Sequence, residues 1–344
     1  MKNINGRKAA SLFVVAALFA SFLAFSSATP VAAASGTIVF DYSHGQAPSF
    51  EEVIAYDAQL EANLTAMGYT VVWARGGINA SILSNARGLV MGSAYGANNG
   101  YTAGEISAIG DWFNAGNKFL WVGYDSDYTS LPDAGQWIDN NMTAILEAVH
   151  SDVYGEPTAV EDPVNNGGSG YRVVANYTST DSYVADIVAG VTEVLMHGPT
   201  CLYGADGSHL ATPVALETST VPNVYPILYT GLNGTINDGD ATDPIVHTNG
   251  QTGHLVMMTM QINAGDAGTG NIVVSGASPY GDYQPMYASY YNTPLDGYNL
   301  VKQAIDFGMK AVQPAAAIDW VLIAGVGAAA VVVIIIVVYF VRKR

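Results

Sequence analysis

Thr37-Ile-Val-Phe-Asp41, followed by Ser49-Phe50-Glu51-Glu52, is the stretch on which the reading of the fold turns. Ile38, Val39 and Phe40 are apolar without alternation, as in a short strand buried on both faces. Ser49 and Glu52 have the spacing of a capping box. Phe50, Val53, Ile54, Leu60, Leu64 and Met67 then keep one helical face until Gly68 supplies a stop. Outward from there the alternation continues. Tyr69 to Trp73 reads as a second strand, Leu83 sits in a short helical turn, and Gly88-Leu-Val-Met91 is a third strand. Thr102 and Glu105 form another capping box, opening a helix with Ile106, Ile109, Trp112 and Phe113 inward and Gly116 at its end. Phe119-Leu-Trp-Val122 is a fourth strand, and Ile138, Met142, Ile145, Leu146 and Val149 mark a third helix. Strands and helices in this order predict right-handed crossovers and a mainly parallel sheet covered on both sides, a doubly wound, flavodoxin-like α/β fold.

From 151 to about 270 the chain is richer in strands and loops. Asn165-Asn166-Gly167-Gly168 is a turn, and strand-like pieces fall at Tyr171–Ala175, Val191–Met196, Val214–Leu216, Val224–Leu228, Leu255–Gln261 and Ile272–Ser275. A closing amphipathic helix is expected from about Leu295 to Met309, so a last strand and helix return to the first sheet. The expected domain spans 35–310.

The two ends predict export and a membrane anchor. Lys2, Arg7 and Lys8 precede an apolar run from Ala9 to Phe25, then Ala32-Ala33-Ala34 before Ser35, which describes a secretory signal peptide over 1–34. After a linker at 311–317, the apolar stretch 318–341 reaches about 33 Å as a helix, enough for a bilayer core of about 30 Å. Arg342-Lys343-Arg344 would stay in the cytoplasm under the positive-inside rule. The expected protein is single-pass, N-terminus outside and C-terminus inside.

Charge then excludes one class of partner. Six of the twelve basic residues lie in these two ends, leaving six against twenty-nine acidic residues, a balance of −23. Such a surface repels phosphate backbones, so no nucleic-acid partner is expected. The lone cysteine, Cys201, allows no internal disulfide. Asn63, Asn79, Asn141, Asn176 and Asn233 lie in N-x-S/T sequons and are candidate glycosylation sites.

Ile38-Val-Phe-Asp-Tyr-Ser-His-Gly45, Tyr101-Thr-x-x-Glu-Ile-x-x-Ile109 with Trp112, Phe119-Leu-Trp-Val-Gly123 and Ile272-Val-Val-Ser-Gly276 resemble the class I glutamine amidotransferase-like domains. More narrowly, they are similar to non-catalytic relatives in archaeal and bacterial surface or transporter-associated proteins and in the intraflagellar transport particle. Catalytic members of that superfamily carry a G-x-C-x-G elbow after the central strand. Here the matching place reads Gly123-Tyr124-Asp125-Ser126-Asp127, and Cys201, in His197-Gly-Pro-Thr-Cys201, has no elbow glycines. The resemblance therefore implies a scaffold without amidotransferase chemistry, one that binds a protein partner or a small extracellular ligand. An extracellular subunit of a transport system, a hydrolase using Asp41 and Asp125, and a structural surface-layer component are the alternatives.

Ligands of open parallel sheets sit beyond the carboxyl ends of the strands. The candidate ligand-binding residues there are Asp41, His44 and Gln46 after the first strand, Ser93 and Tyr95 after the third, and Asp125 and Asp127 after the fourth, in a shallow polar pocket. No cofactor is expected; Asp41, Asp125 and Asp127 could hold Ca²⁺ through oxygen ligands. The competing reading has Asp41 and Asp125 capping loops and His44 hydrogen-bonding within a turn. Asp238, Asp240 and Asp243 form a weaker candidate Ca²⁺ turn, without EF-hand spacing. The histidines show no zinc-site spacing, and Met257, Met258 and Met260 read as core. The tyrosines between Tyr280 and Tyr291 suit sugar or protein contact.

Overall fold

The computed structural model describes residues 35–312, except 95, 97, 128–138 and 240–241. The expected signal peptide, membrane span and basic tail lie outside the described residues, as does most of the linker. Among the described residues no helix is long and apolar enough to cross a membrane.

The first half runs β1 (Thr37–Asp41), α1 (Glu51–Ala66), β2 (Thr70–Ala74), α2 (Ala80–Leu83), β3 (Ala86–Met91), α3 (Ala103–Asn114), β4 (Phe119–Gly123) and α4 (Met142–Ala148). The second begins with the short strands β5 (Val153–Gly155), β6 (Ala159–Glu161), β7 (Arg172–Ala175) and β8 (Tyr177–Thr178), then α5 (Ala185–Val188). It continues through β9 (Val194–His197), β10 (Leu202–Gly204), β11 (Val214–Ala215), β12 (Val224–Tyr229) and β13 (Thr235–Asn237). The long pair β14 (Val256–Ala264) and β15 (Gly270–Ser275), the small hairpin β16 (Ser289–Tyr290) and β17 (Thr293–Pro294), and α6 (Gly297–Ala311) complete it.

The main sheet has eight strands in the order β2-β1-β3-β4-β15-β14-β12-β8. The pairs from β2 to β15 are parallel; β15–β14, β14–β12 and β12–β8 are antiparallel. The expected return is present: β15 lies parallel to β4 with Ile272 opposite Leu120. Because strand side chains alternate, successive residues feed opposite cores. Ile38, Phe40 and Trp121 pack with Leu60 and Leu64 of α1 and Leu300, Ala304 and Ile305 of α6. Val39, Leu120 and Val122 pack with Ile109 and Phe113 of α3 and Ile145 and Leu146 of α4. The result is a mostly parallel sheet with helices on both faces. Met257, Met258 and Met260 are buried in β14.

The capping boxes fare differently. At α3 the Thr102 hydroxyl accepts from the Glu105 amide at 3.3 Å and Glu105 Oε2 accepts from the Thr102 amide at 2.9 Å, as expected. At α1 the box does not form: Phe50 holds the cap position with no side-chain bond. Ser49 instead donates its amide (2.9 Å) and its hydroxyl (2.5 Å) to Asp282, a carboxylate from the far end of the chain and a stronger acceptor than a backbone group. The closing helix also runs to Ala311, into the expected linker.

Candidate functional site

At the carboxyl end of β1 the structure brings Asp41, His44 and Gln46 together, and saturates them. Asp41 has no exposed surface. Its carboxylate accepts from the Ser43 amide (2.8 Å) and hydroxyl, His44 Nδ1 (2.7 Å), Gln46 Nε2 (3.3 Å) and the Tyr101 hydroxyl (2.5 Å). His44 stacks on the Tyr101 ring and turns Nε2 toward Glu105 Oε1 at 3.3 Å. Burial opposes charge on both partners. The hydrogen bond and attraction between them outweigh it, holding Asp41 below the usual carboxylate range and raising His44. Between β1 and β3, where the chain switches direction across the sheet, Tyr280 fills the crevice: its hydroxyl donates to the Asp41 carbonyl and accepts from the Gly92 amide at 3.0 Å. Gln46 and Ser93 are buried too, and the Ser93 hydroxyl donates to the Tyr124 carbonyl. The expected shallow pocket is thus occupied at these residues by the protein's own side chains, and the loop-cap reading of Asp41 and His44 describes them better. Tyr95 lies outside the described residues.

Asp125 and Asp127 go elsewhere. Tyr283 donates to Asp125 Oδ2, and the Ser126 amide donates to Oδ1 at 2.8 Å. Burial of this carboxyl pushes its pKa up to about 7, against lowering by those two bonds. Asp127 Oδ2 accepts from the Gly239 amide at 3.2 Å, which ties it to the acidic turn. In that turn Asp238 is part-buried, Asp243 is exposed and Asp240 lies outside the described residues.

The Asp125 carboxyl supplies a pH test. Its folded pKa lies above its ordinary value of 3.8. Between 3.8 and 7 the unfolded chain releases a proton that the folded chain keeps, so stability falls as pH rises through that window. Asp125→Asn is expected to be neutral at pH 3 and to stabilise the domain by about 2–4 kcal/mol at pH 8. Melting curves of both proteins across that range check it; parallel curves would refute it.

Of the sequon asparagines, Asn79, Asn141, Asn176 and Asn233 are exposed. Asn63 is half-buried and its Nδ2 donates to the Tyr298 hydroxyl of α6.

A second cluster escapes sequence reasoning altogether. Pairing of β5 with β10 sets Leu202 opposite Gly155, so the adjoining Glu156 and Cys201 are neighbours, and the Glu156 amide donates to the Cys201 carbonyl at 3.0 Å. The segment between β13 and β14 drops His247 onto both. Among the described residues, Glu156, Cys201 and His247 form a group whose ligand atoms all lie within 4.8 Å of one another. Cys201 Sγ is 3.6 Å from His247 Nδ1 and 3.8 Å from Glu156 Oε2; His247 Nδ1 also bonds Glu156 Oε2. On the other side His247 Nε2 meets Glu217 Oε2 at 3.2 Å. Glu156 Oε1 takes the amides of Val246 (2.6 Å) and His247 (3.0 Å). Burial raises the thiol to about 11, only partly offset by His247. Burial would lower His247, but its bonds to Cys201, Glu156 and Glu217 outweigh that and raise it. A histidine therefore does stand beside Cys201, contrary to the sequence expectation, but the thiol is sealed from solvent and the nearest ring nitrogen is held by Glu156. Such a thiol is protonated and shielded. The only sequence signal was a solitary cysteine.

The fold and these residues define a mixed α/β domain with a mostly parallel sheet and a filled strand-end crevice. No family model matches the sequence, and no curated protein does. Solved structures similar to this chain include a ThuA-like protein from Bacteroides uniformis, at 11% identity and TM-score 0.39, covering 83% of this chain and 94% of that one. A GMP synthase protein from Thermoplasma acidophilum is similar at 8% identity and TM-score 0.35, covering 80% and 94% respectively.

Proposed function

We propose that this chain is a non-enzymatic, membrane-anchored surface domain on an amidotransferase-like scaffold, which recognises an extracellular partner or small ligand. The observation that carries the reading is a cation held among aromatic rings. Arg172 lies 4.9 Å from the ring centre of Tyr171, 5.5 Å from Tyr290 and 5.2 Å from Tyr291. The Asn165–Gly168 turn forms its bed: a Cβ on Gly167 would meet Tyr290 at 2.7 Å and one on Gly168 would meet Tyr291 at 2.9 Å. Next to it His197 stacks on Tyr171 and meets Tyr283 edge-on, beside Asp125. Arg172 Nε and His197 Nδ1 are buried without a hydrogen-bond partner, while Tyr291 is 62% exposed. In so acidic a protein, one guanidinium presented among tyrosines suits a ligand that brings a carboxylate to Arg172 and a flat face to the rings.

The hydrolase alternative needs Asp41 free in an open cleft, and every acceptor position of that carboxylate is already engaged. Membrane attachment rests on the apolar stretch 318–341 and its basic tail.

Binding to an array of neutral and carboxylated saccharides and acidic peptides tests this reading. Arg172→Gln is expected to weaken any selected ligand at least tenfold, and Tyr291→Ala several-fold, with melting curves unchanged. Equal binding by all three proteins would remove the aromatic surface as the recognition site.

A further inference from the structure

We propose that Glu156, Cys201 and His247 form a buried site for a zinc-class divalent cation, with Glu217 as the carboxylate that orients the histidine. Three observations carry it, none involving the aromatic surface.

The first is the donor set. A thiol, an imidazole nitrogen and a carboxylate are the ligand types of zinc sites, and a mixed sulfur–nitrogen set favours zinc over calcium or magnesium. The second is spacing. Zinc bonds of about 2.3 Å to sulfur and 2.0–2.1 Å to nitrogen or oxygen imply tetrahedral edges of about 3.5 Å between sulfur and either partner. The sulfur edges here are 3.6 Å to His247 Nδ1 and 3.8 Å to Glu156 Oε2. Only the imidazole–carboxylate edge, now a hydrogen bond, has to open. Thr158 Oγ1, 3.9 Å from the sulfur, borders the remaining side. The third is the outer partner. Histidines that bind metal donate their other ring N–H to a carboxylate or carbonyl, and His247 Nε2 faces Glu217 Oε2 at 3.2 Å. Glu217 is itself fixed by the Val256 amide at 2.6 Å.

Charge balances as well. Without metal the cluster holds a thiol, an imidazolium and two carboxylates, a net −1. A divalent cation displaces the thiol proton and the Nδ1 proton, both to solvent, leaving thiolate, neutral imidazole, two carboxylates and the cation, again −1. The burial cost of net charge is therefore unchanged by the exchange. Cys201 has no exposed surface and His247 only 3%, so the cation enters as the domain folds.

The experiment uses the full chain in detergent. Metal content is measured as isolated, and again after unfolding in chelator and refolding with Zn²⁺ or Co²⁺. One zinc per chain, release of two protons per metal, and a thiolate-to-cobalt charge-transfer band that disappears in Cys201→Ser are expected. Glu217→Gln should keep the band while weakening affinity about 10–100-fold; being part-exposed, it also serves if Cys201→Ser misfolds. Wild-type protein that melts cooperatively yet takes up well under one metal by either route overturns the site. So does a cobalt complex without the thiolate band, or a Cys201 thiol that reacts rapidly with an electrophile in the folded protein, the mark of a nucleophile.

Discussion

Glu156→Ala is expected to cost the folded protein about 3–5 kcal/mol in chelator, the range for removing one partner of a buried ion pair. The substitution strips the His247 imidazolium of its closest carboxylate and leaves the Val246 and His247 amides without an acceptor. Glu156→Gln keeps the shape and one acceptor oxygen and should lose less; Glu217→Gln, on the part-exposed side, less again. Urea unfolding of the three variants measures the order. The deficit also depends on pH in a defined way. Glu156 is held below its ordinary 4.5, so its contribution is complete above that value and disappears as pH falls. His247 is raised above its ordinary 6.5, so its contribution is complete below 6.5 and declines as pH climbs. The gap between wild type and Glu156→Ala should accordingly be widest between pH 4.5 and 6.5. A gap that is flat from pH 3 to 9 would mean that the pair is not ionised in the fold.

Gly276→Ala is the second large effect. A Cβ there would lie 1.8 Å from the Thr200 carbonyl oxygen, a backbone atom that cannot swing aside as a side chain does. Thr200 also donates its amide to the Gly276 carbonyl at 2.9 Å, so the two segments are locked face to face where β15 ends beside Cys201. Overpacking of this severity is expected to cost about 3 kcal/mol or more. It should also loosen the cover over Cys201, read as faster thiol alkylation under native conditions. Gly104→Ala, whose nearest neighbour would be 3.9 Å away within α3, is the control and should be neutral or slightly stabilising. Equal stability of the two variants would show that the contact at Gly276 relaxes freely.

The first half of the fold was legible because its signals are local. Strands buried on both faces lack alternation, and Thr102 and Glu105 are close enough in sequence for their box to be read directly. Ser49 looked equivalent, but its partner Asp282 lies 233 residues away, and no local rule anticipates such a competitor. The acidic residues after the strands were correctly placed at the sheet's carboxyl edge. Their pairing was not legible, because Tyr283 and Gly239, which draw Asp125 and Asp127 aside, come from distant loops. The Glu156–Cys201–His247 cluster is the extreme case. Its members span 91 residues with no spacing motif, and they meet only because β5 pairs with β10. Metal-motif reading presumes ligands on one helix or hairpin; here the sheet assembles them.

Tyr280 has a consequence for how the chain acquires its structure. Its hydroxyl joins the end of β1 to the start of the crevice across 239 residues, and β15 must be in place before that ring can be delivered. A nascent chain carrying only the first four strands has therefore left the Asp41 carbonyl and the Gly92 amide without this partner. Closure over so long a loop is entropically expensive and slow. The growing polypeptide is thus committed to a late, C-terminally triggered folding step, and stays vulnerable to aggregation and proteolysis until its last third has been synthesised.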